Sequence, residues 1–532
     1  MIPDAIEQER LKIQSQLNST KTQLVRNKLG QFATPTVLAT EMLEYAQSLI
    51  LPNLKIRFLD PAIGTGSFFS ALLRTFPLAQ IEKAVGYEID TLHSQAATTL
   101  WCNTPLELFT NDFTHALAPN TEDTKCNLLI CNPPYVRHHH LSTEEKQRLQ
   151  KIGEQVTGIK LSQQAGLYCY FLYLSHNWMA KNTLAGWLIP SEFMDVNYGQ
   201  QIKKYLLTKV TLIRVHRFES KDVQFSDALV SSAVVWFVNK AATSNYNVEF
   251  TYGGTLAKPE TSTIISTDIL QQATKWTNFA AMTRKTPIVT NIEVKQKYDI
   301  SAKVKDKTLL SDIFEIKRGI ATGSNDFFLL NQQQIAKYQL PVEFLMPVLP
   351  NPRYLKLNEV ESDSNGIPRV EQPLFLLTCN LAEEEVKTKY PSLWKYLQLG
   401  VDTGISNGYL CSHRKLWYSQ EKRPSSMFLC SYMGRQDSKR KKPFRFILNH
   451  SKATATNAYH ILYPKAHLQS VLASNPQLAT LIWLALETIT LETLIGEGRT
   501  YGGGLHKMEP KELGNVSAEG VFSLIQQYMP LR

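Results

Sequence analysis

A short apolar run followed almost at once by two prolines constrains this sequence more than any other feature. Leu128-Leu129-Ile130-Cys131 has the composition of a buried strand in a parallel sheet. Pro133 and Pro134 cannot extend that strand, because proline lacks the amide hydrogen that a sheet requires. The run therefore predicts a strand that stops at a rigid turn, Asn132-Pro133-Pro134-Tyr135. Ligands of open α/β sheets bind beyond the carboxyl ends of the strands, so the turn is predicted to lie at a functional site.

The groups on this turn suit an amino group carried by a planar base. The Asn132 amide and the Pro133 carbonyl are hydrogen-bond acceptors, and Tyr135 offers an aromatic face. Two acceptors can bind both hydrogens of an exocyclic amine and favour a tetrahedral nitrogen, while the ring holds the base for in-line attack. The plain alternative is a turn that merely ends a strand. The segments upstream of the turn decide between these interpretations.

Three predicted strands upstream also end in acidic residues. The strands are Ile56–Leu59, Ala84–Tyr87 and Leu106–Phe109, and the residues that follow them include Asp60, Ala62, Gly64, Gly66, Glu88, Asp112 and Phe113. Phe69 stands where a dinucleotide-binding loop requires its third glycine, and an acid before the glycines would repel a pyrophosphate. Asp60 suits the ammonium of an amino-acid tail, and Glu88 suits two ribose hydroxyls. Asp112 and Phe113 suit an adenine ring.

These motifs, preceded by Gln31-Phe32-Ala33-Thr34-Pro35, resemble those of the gamma-class DNA adenine-N6 methyltransferases. Members of that class use S-adenosylmethionine and typically serve as the modification enzymes of type II restriction-modification systems. The resemblance runs motif by motif over roughly residues 20 to 240 and continues more loosely to the C-terminus. It implies an α/β class I methyltransferase (Rossmann-like) catalytic domain. The stretch Ala241–Tyr252, rich in Ala, Thr, Ser and Asn, predicts the domain boundary, so this domain is expected over residues 1–245. An α+β DNA target-recognition domain is implied over residues 246–532.

The same resemblance implies a role for each matched residue. The residues implied to bind S-adenosylmethionine are Thr34, Asp60, Ala62, Gly64, Gly66, Glu88, Asp112 and Phe113. The pocket for the target base is implied to consist of Asn132, Pro133, Pro134, Tyr135 and Phe225, the last from the segment before the predicted strand Ser232–Val238. Gly166 is a departure, because many relatives carry Asp or Asn there. A cofactor contact from that position is therefore not expected.

The activity implied is methyl transfer to the N6 amine of an adenine flipped out of double-stranded DNA, protecting host DNA within a restriction-modification system. Methylation of cytosine N4 or of RNA follows the same amine chemistry and remains open, as does a protein glutamine acceptor. A non-catalytic DNA-binding subunit is a further alternative, disfavoured by the complete set of motifs. The chain has no Pro-Cys pair, which argues against cytosine-C5 methylation by a thiolate nucleophile.

The distribution of charge favours a polyanion partner. The chain carries a net charge of +10, with 57 Lys and Arg against 47 Asp and Glu. Most of the excess lies beyond Lys240, and the densest basic run extends from Arg435 to Arg445. Such a run can neutralise phosphates. The expected partners are double-stranded DNA and a cognate restriction endonuclease acting on the same site, and the expected oligomeric state is a monomer.

Other residue patterns predict what is absent. The 7 cysteines form no C-x-x-C pair, and consecutive histidines at His138–His140 lack metal-ligand spacing, so no metal site and no disulfide framework are expected. Asp4, Glu7 and Glu9 interrupt any signal-peptide core. No apolar run approaches the ~20 residues that a membrane span needs. A soluble cytoplasmic protein is the expectation.

Overall fold

A computed structural model describes residues 4–219, 231–242, 244–277, 279, 308–436, 442–501 and 504–528. The chain divides into two compact units. One comprises Met1–Glu293 with Tyr501–Gly503, and the other comprises Val294–Thr500 with Gly504–Arg532.

The first unit is built on a nine-stranded sheet. Its strands are β1 (Ile56–Asp60), β2 (Ile81–Tyr87), β3 (Leu106–Phe109), β4 (Cys126–Cys131), β5 (Met179–Pro190), β6 (Thr211–Arg217), β7 (Ser232–Val238), β8 (Asn247–Gly254) and β9 (Pro259–Ser266). Their order is β3-β2-β1-β4-β5-β7-β6-β8-β9. Strands β1 to β5 are parallel to one another, whereas β7 is antiparallel to both β5 and β6. The predicted α/β architecture is therefore present.

Helices cover the first unit's sheet. They are α1 (Asp4–Ser19), α2 (Gln23–Leu29), α3 (Thr36–Leu49), α4 (Ser67–Thr75), α5 (Thr91–Leu100), α6 (Thr143–Thr157), α7 (Leu167–Leu174), α8 (Gly199–Thr208) and α9 (Thr267–Gln272). Short 3-10 turns span Leu78–Gln80, Phe113–His115, His138–His140, Ser175–Trp178 and Ser191–Met194. The core divides between the two faces, because successive strand residues point to opposite sides. Leu129 packs in the cluster that contains α7, and Leu128 packs in the cluster that contains α3 and α4.

Strand β4 confirms the prediction that the apolar run Leu128–Cys131 forms a buried strand of a parallel sheet. All of its residues except Asn127 are buried, and it lies between β1 and β5, parallel to both. The side chains of its apolar run are therefore buried on both faces of the sheet. Because β1 to β4 are parallel, their carboxyl ends, with the residues that follow them, lie along the same edge of the sheet.

The sheet of the first unit continues beyond residue 245, where the catalytic domain was expected to end. Strand β8 pairs in parallel with β6, and β9 pairs with β8 in an antiparallel hairpin. Val248 and Phe250 are buried in the core of the first unit. Their alternation with partly exposed residues is the pattern of a half-buried strand, which outweighs the polar composition of this stretch. The first unit therefore includes residues up to at least Ser266.

The part of the chain after residue 308 combines helices with mainly antiparallel sheets. Its strands are β10 (Phe314–Arg318), β11 (Leu329–Leu330), β12 (Leu345–Val348), β13 (Glu359–Val360), β14 (Leu374–Leu377), β15 (Phe428–Ser431), β16 (Met433–Arg435), β17 (Phe446–Asn449), β18 (Tyr459–Pro464), β19 (Arg499–Tyr501) and β20 (Leu505–Lys507). The largest sheet has the order β10-β18-β15-β17-β13, and the others are β11-β14-β12 and β16-β20-β19. This mixture agrees with the α+β expectation for the C-terminal part.

The helices of this part pack in two clusters, one with the five-stranded sheet and one with the sheet β11-β14-β12. They are Leu310–Ile313, Asn325–Phe328, Gln332–Tyr338, Glu383–Lys389, Pro391–Asp402, Tyr409–Ser412, Ala466–Ser474, Leu478–Thr488, Leu491–Glu497, Pro510–Gly514 and Glu519–Gln527, with 3-10 turns at Val342–Phe344 and Ile405–Asn407. Among the described residues, no single helix has the length and apolar character to cross a membrane. One pair of consecutive helices, Leu478–Thr488 and Leu491–Glu497, has that length and apolar character only when the two are taken together, and the pair is bent by 78°.

Candidate active site

A cavity of about 540 Å³ lies beyond the carboxyl ends of β1 to β4 in the first unit. Its volume is within the range of small-molecule sites, roughly 300–1,000 Å³. Seven of the residues singled out in the sequence line its wall: Ala62, Gly64, Glu88, Asp112, Phe113, Asn132 and Pro134. The parallel order of the strands brings these residues together from positions up to 72 apart along the chain.

The side chain of Asn132 is held in one orientation at the cavity wall. Its Nδ2 group donates to the Phe32 carbonyl and to the Thr34 hydroxyl, both at 3.0 Å. Both amide hydrogens therefore have acceptors on the segment that precedes α3. The Oδ1 atom is buried and has no hydrogen-bond partner within the described protein. A buried acceptor without a donor costs on the order of 1–3 kcal/mol, so this oxygen is suited to accept from a ligand.

The segment before α3 also holds the rest of the turn. The Tyr135 amide donates to the Gly30 carbonyl at 3.1 Å, and Gly30 has a φ of +65°. A Cβ atom on Gly30 would lie 2.4 Å from the Tyr135 nitrogen, so only glycine permits this approach. Gly30 was not among the site residues predicted from the sequence. A glycine beside a site motif, where a second backbone passes closely, is the signal that could have found it.

Tyr135 occupies a different environment from the expected stacking position. The side chain is only 7% exposed, and its hydroxyl donates to the Leu188 carbonyl at 3.1 Å. Its ring lies 5.6 Å from that of Phe32. Burial raises the pKa of the phenol well above its usual value, so it stays protonated. Tyr135 therefore packs as part of the core in this structure, and neither it nor Pro133 lines the cavity wall.

The two predicted glycines in the loop between β1 and α4, Gly64 and Gly66, have different roles. Gly64 lines the cavity, has a φ of +58° and has no atom within 4 Å of the place of a Cβ. Gly66 has a φ of +92° and faces Trp101, whose Nε1 would lie 2.4 Å from a Cβ. Trp101 in turn donates to the Thr65 carbonyl at 3.0 Å. Gly64 thus leaves room in the cavity, whereas Gly66 allows close packing of the loop on α5.

Asp60 lies beneath this loop rather than in the cavity wall. Its side chain is 1% exposed, and Oδ1 accepts from the Ala62 amide at 3.1 Å. Burial, together with the nearby Glu88 carboxylate, raises the pKa of Asp60 to about 8. The side chain therefore shapes the turn that presents Ala62 and Gly64. The resemblance implies that Asp60 contacts the ammonium group of the cofactor, but Asp60 does not line the cavity.

Glu88 joins the glycine loop to the end of β2. Its Oε2 accepts from the Gly64 amide at 3.0 Å, and its Oε1 accepts from the Asp90 amide at 2.7 Å. Burial raises the pKa of Glu88 despite these hydrogen bonds. Asp90 caps the N-terminus of α5, where its side chain accepts from the Leu92 and His93 amides and pairs with Lys21. The Glu88 carboxylate is therefore fixed at the cavity between β1 and β2.

Asp112 and Phe113 form the wall at the end of β3. The Asp112 Oδ1 atom accepts from the Thr114 amide at 2.8 Å, which fixes the turn into the short 3-10 helix. Phe113 is buried among aromatic rings, with centroids at 5.4 Å for Tyr87, 5.5 Å for Phe171 and 5.3 Å for Trp178. Together they offer a carboxylate beside a rigid apolar surface.

Helix α1 supplies wall residues that sequence reasoning missed. Gln14 and Asn18 line the cavity, and Arg10 occupies the same helical face one turn earlier. The Gln14 Oε1 atom accepts from the Thr65 hydroxyl at 2.7 Å, and Gln14 Nε2 donates to Asn18 Oδ1 at 2.9 Å. Polar residues at positions 10, 14 and 18 share one face because they are four apart. That spacing was the available signal.

Phe225, the basic run and the metal-ligand candidates remain to be located in the structure. Phe225 lies outside the described residues, as do Lys439, Arg440 and Lys441 of the basic run. Arg445 donates to the carbonyls of Pro352, Leu355 and Leu357, at 2.8, 2.8 and 3.1 Å, so it anchors a loop of the second unit. Asp112, His115 and Glu145 lie close enough to hold a metal ion, but Glu145 is paired with Arg148.

Comparisons with known proteins identify relatives of both parts of the chain. A family model described as Eco57I restriction-modification methylase matches residues 68–224. A second, described as Type II methyltransferase M.Eco57I, C-terminal domain, matches residues 273–526. Neither model includes α1 or the segment that contacts Asn132.

Two curated relatives match nearly the whole chain. Type II methyltransferase M.AccI of Acinetobacter calcoaceticus is 26% identical over 92% of this chain and 85% of its own length. Type II methyltransferase M.XamI of Xanthomonas campestris pv. amaranthicola is 27% identical over 91% of this chain and 84% of its own length.

A solved structure shares the fold. The Type IIL restriction-modification enzyme MmeI, solved in complex with DNA, has a TM-score of 0.50 and 14% sequence identity. The likeness covers 92% of this chain and 71% of that one. At this identity it concerns the fold alone, and it agrees with the α/β fold class that the sequence predicted.

Proposed function

We propose that this chain is a DNA methyltransferase of the Eco57I-like type II restriction-modification kind, and that it methylates the N6 amine of adenine with S-adenosylmethionine as methyl donor. The observation that carries the choice of an amine acceptor is the buried Asn132 Oδ1 atom without a partner. Cytosine N4 presents the same chemistry, so the distinction between the two bases rests on resemblance.

The cavity offers candidate groups for the ribose and the adenine ring of S-adenosylmethionine. Glu88 is the carboxylate placed for the ribose hydroxyls, and Asp112 with Phe113 forms the wall for the adenine ring. The Ala62 and Gly64 backbone lines the remaining side, where the absence of a Cβ at position 64 leaves space. When bound, the cofactor supplies an electrophilic methyl group on a sulfonium. The cavity volume of about 540 Å³ fits a ligand of this size.

The turn after β4 orients the target amine. Asn132 Oδ1 accepts one amine hydrogen, and the Pro133 carbonyl is the candidate acceptor for the second. Both acceptors favour the nitrogen geometry needed for attack, and their fixed positions lower the reorganisation required at the moment of transfer. Pro134 lines the cavity and holds the turn rigid. Tyr135 supports the turn from below, and Phe225 is a further candidate for the base pocket.

An adenine inside a duplex cannot reach this concave site. The base must therefore rotate out of the stack, at a cost of a few kcal/mol. The C-terminal part, matched by the M.Eco57I C-terminal domain model, is the candidate for recognition of the DNA sequence. We propose that the chain protects host DNA alongside a restriction endonuclease of the same specificity, and that it acts as a monomer.

The decisive experiment follows the methyl group. The purified protein is incubated with methyl-labelled S-adenosylmethionine and duplex DNA of mixed sequence, and the DNA is digested to nucleosides. Label in N6-methyldeoxyadenosine is the expected result. Label in N4-methyldeoxycytidine would overturn the choice of base. Label absent from DNA, with cofactor bound, would overturn the DNA acceptor.

Paired variants test the role of the turn. Asn132→Ala removes the acceptor and is expected to lower methylation by at least ~100-fold, in line with loss of a transition-state hydrogen-bonding group. Asn127→Ala removes an asparagine at the other end of the same strand, where Nδ2 donates to the Lys55 carbonyl. The Asn127 variant is expected to retain most of the activity. Equal losses in both variants would indicate damage to the strand and contradict the assigned role of Asn132.

A further inference from the structure

We propose that Thr34 is a positioning residue that acts through Asn132 and does not bind the cofactor. The Thr34 hydroxyl accepts from Asn132 Nδ2 at 3.0 Å, although the two residues are 98 positions apart in the chain. Thr34 is 7% exposed and is not among the residues that line the cavity. The inference rests on the proposed function of Asn132 as the amine acceptor.

The two acceptors that hold the Asn132 amide have different effects. The Phe32 carbonyl can only accept, so it selects the Nδ2 end of the amide and directs Oδ1 away from itself. One hydrogen bond still allows the amide to rotate about that contact, because the terminal torsion of asparagine is broad. The Thr34 hydroxyl engages the same nitrogen from a second point. Together they fix both the identity and the direction of the atom that faces the cavity.

Thr34 is itself fixed by its neighbours along the chain. On one side, the Gly30 carbonyl accepts from the Tyr135 amide at 3.1 Å, which docks the segment on the turn. On the other side, the Thr36 hydroxyl donates to Glu7 at 2.6 Å. Pro35, with a φ of −60°, links Thr34 to α3 and restricts the backbone between these two anchors. The hydroxyl of Thr34 therefore reaches Asn132 from a preorganised position.

A substitution series separates positioning from cofactor binding. Thr34→Val keeps the shape of the side chain but removes the acceptor, and it is expected to lower kcat about 10- to 100-fold. The Kd for S-adenosylmethionine, measured by calorimetry, is expected to change less than about 3-fold, because Thr34 does not face the cavity. Thr34→Ser restores the hydroxyl and is expected to return kcat to within about 3-fold of the original.

Thr40→Val is the matched control. It also replaces threonine by valine near the start of α3, but its hydroxyl accepts from Arg74, at 3.1 Å, away from the turn. This variant is expected to leave kcat and cofactor affinity unchanged. If Thr34→Val instead weakens cofactor binding as strongly as it lowers kcat/KM, with kcat preserved, Thr34 is a cofactor ligand and the inference is wrong. Unchanged kcat in Thr34→Val would also overturn it.

A spectroscopic readout keeps this inference separate from the proposed function. In protein labelled with ¹⁵N-asparagine, the side-chain amide resonances of Asn132 are assigned by their loss in Asn132→Ala. Thr34→Val is expected to shift these resonances and accelerate their hydrogen exchange, whereas Thr34→Ser and Thr40→Val are not. This result is expected even if no methyl group reaches DNA, in which case the proposed function fails alone. Unchanged Asn132 resonances in Thr34→Val would overturn the positioning role.

Discussion

Gly64 and Gly66 show at the residue scale how two neighbouring glycines can be required for different reasons. Both have positive φ, +58° and +92°, which costs a residue with a Cβ roughly 1–2 kcal/mol. Only Gly66 has a neighbour in the way, because Trp101 Nε1 would lie 2.4 Å from its Cβ. A Cβ on Gly64 meets no protein atom but enters the cavity wall.

Alanine substitutions at the two positions are therefore expected to separate stability from ligand binding. Gly66→Ala should destabilise the first unit by at least ~2–4 kcal/mol, because the clash with Trp101 adds to the backbone strain. Gly64→Ala should cost only the ~1–2 kcal/mol of strain, but it should weaken S-adenosylmethionine binding. Denaturant midpoints and calorimetry measure the two effects. A larger stability loss in Gly64→Ala than in Gly66→Ala would contradict the assignment.

The protonation of Asp60 gives a second prediction at this scale. Because its pKa is raised to about 8, the folded protein keeps a proton that the unfolded chain releases near pH 4. The resulting stabilisation is complete below the unfolded pKa and is lost as the pH rises through the folded pKa. Between pH 5 and pH 8 the loss should be on the order of 4 kcal/mol, at ~1.4 kcal/mol per pH unit.

Asp60→Asn tests this linkage, because asparagine can accept from the Ala62 amide in the same way but does not titrate. Denaturant midpoints are compared at pH 5 and pH 8 for both proteins. The original protein should lose more stability than the variant as the pH rises. Parallel pH profiles would mean that Asp60 is already ionised in the folded protein, contrary to the burial observed.

At the scale of elements, α1 is tied to the glycine loop by Arg10, which also forms a buried ion pair with Glu7 of the same helix. Arg10 is 1% exposed and donates through Nε and Nη2 to Glu7, both at 2.7 Å. Its Nη1 atom donates to Thr65 at 3.2 Å and to Ser67 at 2.9 Å. Burial alone would raise the pKa of Glu7, but hydrogen bonds from Arg10, Ser70 and Thr36 outweigh it and lower the pKa to about 2.

Removal of one member of this pair should destabilise the unit strongly. Arg10→Met leaves the Glu7 carboxylate buried without its cation, which is expected to cost about 3–5 kcal/mol. It should also weaken cofactor binding, because Thr65 and Ser67 lose their donor. The control is Glu9→Gln, which removes an exposed pair with Lys12, at 3.7 Å on the same helix. That change is expected to cost ~0–1 kcal/mol.

Thermal unfolding and cofactor calorimetry measure both variants of α1. Similar midpoints for Arg10→Met and Glu9→Gln would show that the buried pair does not hold α1 on the loop. A destabilised Arg10→Met protein that binds the cofactor normally would show that α1 stabilises the fold without shaping the cavity.

At the scale of the whole molecule, the charge distribution predicts how the proposed DNA complex responds to salt. The net charge is +10, and the excess lies mainly in the C-terminal part. If about six phosphates are neutralised, the affinity for DNA should fall on the order of 10³-fold between 50 and 200 mM salt. The affinity for S-adenosylmethionine should change far less, because its cavity is enclosed by one unit.

Equilibrium DNA binding at a series of salt concentrations measures this dependence. The slope of log K against log salt gives the number of DNA phosphates that the protein neutralises, because each neutralised phosphate releases its counterion. Arg445→Met should leave this slope nearly unchanged, because Arg445 already donates to carbonyls of its own unit. A slope near zero for the original protein would contradict an electrostatic DNA interface.

Local patterns in the sequence were sufficient for the elements and for the general location of the site. The apolar run of β4 and the two prolines after it gave the strand and the turn, because both signals act within a few residues. The acids and glycines after β1, β2 and β3 were expected at one edge, since parallel strands end there together. The structure gathers Gly64, Glu88 and Asp112 at that edge, as expected.

Composition was a weaker guide where it was used in place of periodicity. The stretch that contains β8 was taken as a domain boundary because of its small polar residues. Its alternating buried positions, Val248 and Phe250, pair it with β6 instead. Likewise, the basic run suggested phosphate contacts at Arg445, whereas its guanidinium is occupied by backbone carbonyls. Charge counts do not show which cations are already engaged.

The sequence by itself determined the α/β class, the strand that ends before Asn132 and seven of the residues that line the cavity. Only the tertiary structure decided that Thr34 contacts Asn132, that Tyr135 is buried and that Gly66 faces Trp101. Local pattern specifies an element because its hydrogen bonds and turn restrictions involve neighbouring residues. Contacts between segments 98 positions apart depend on how the elements pack, and no short window of sequence contains that information.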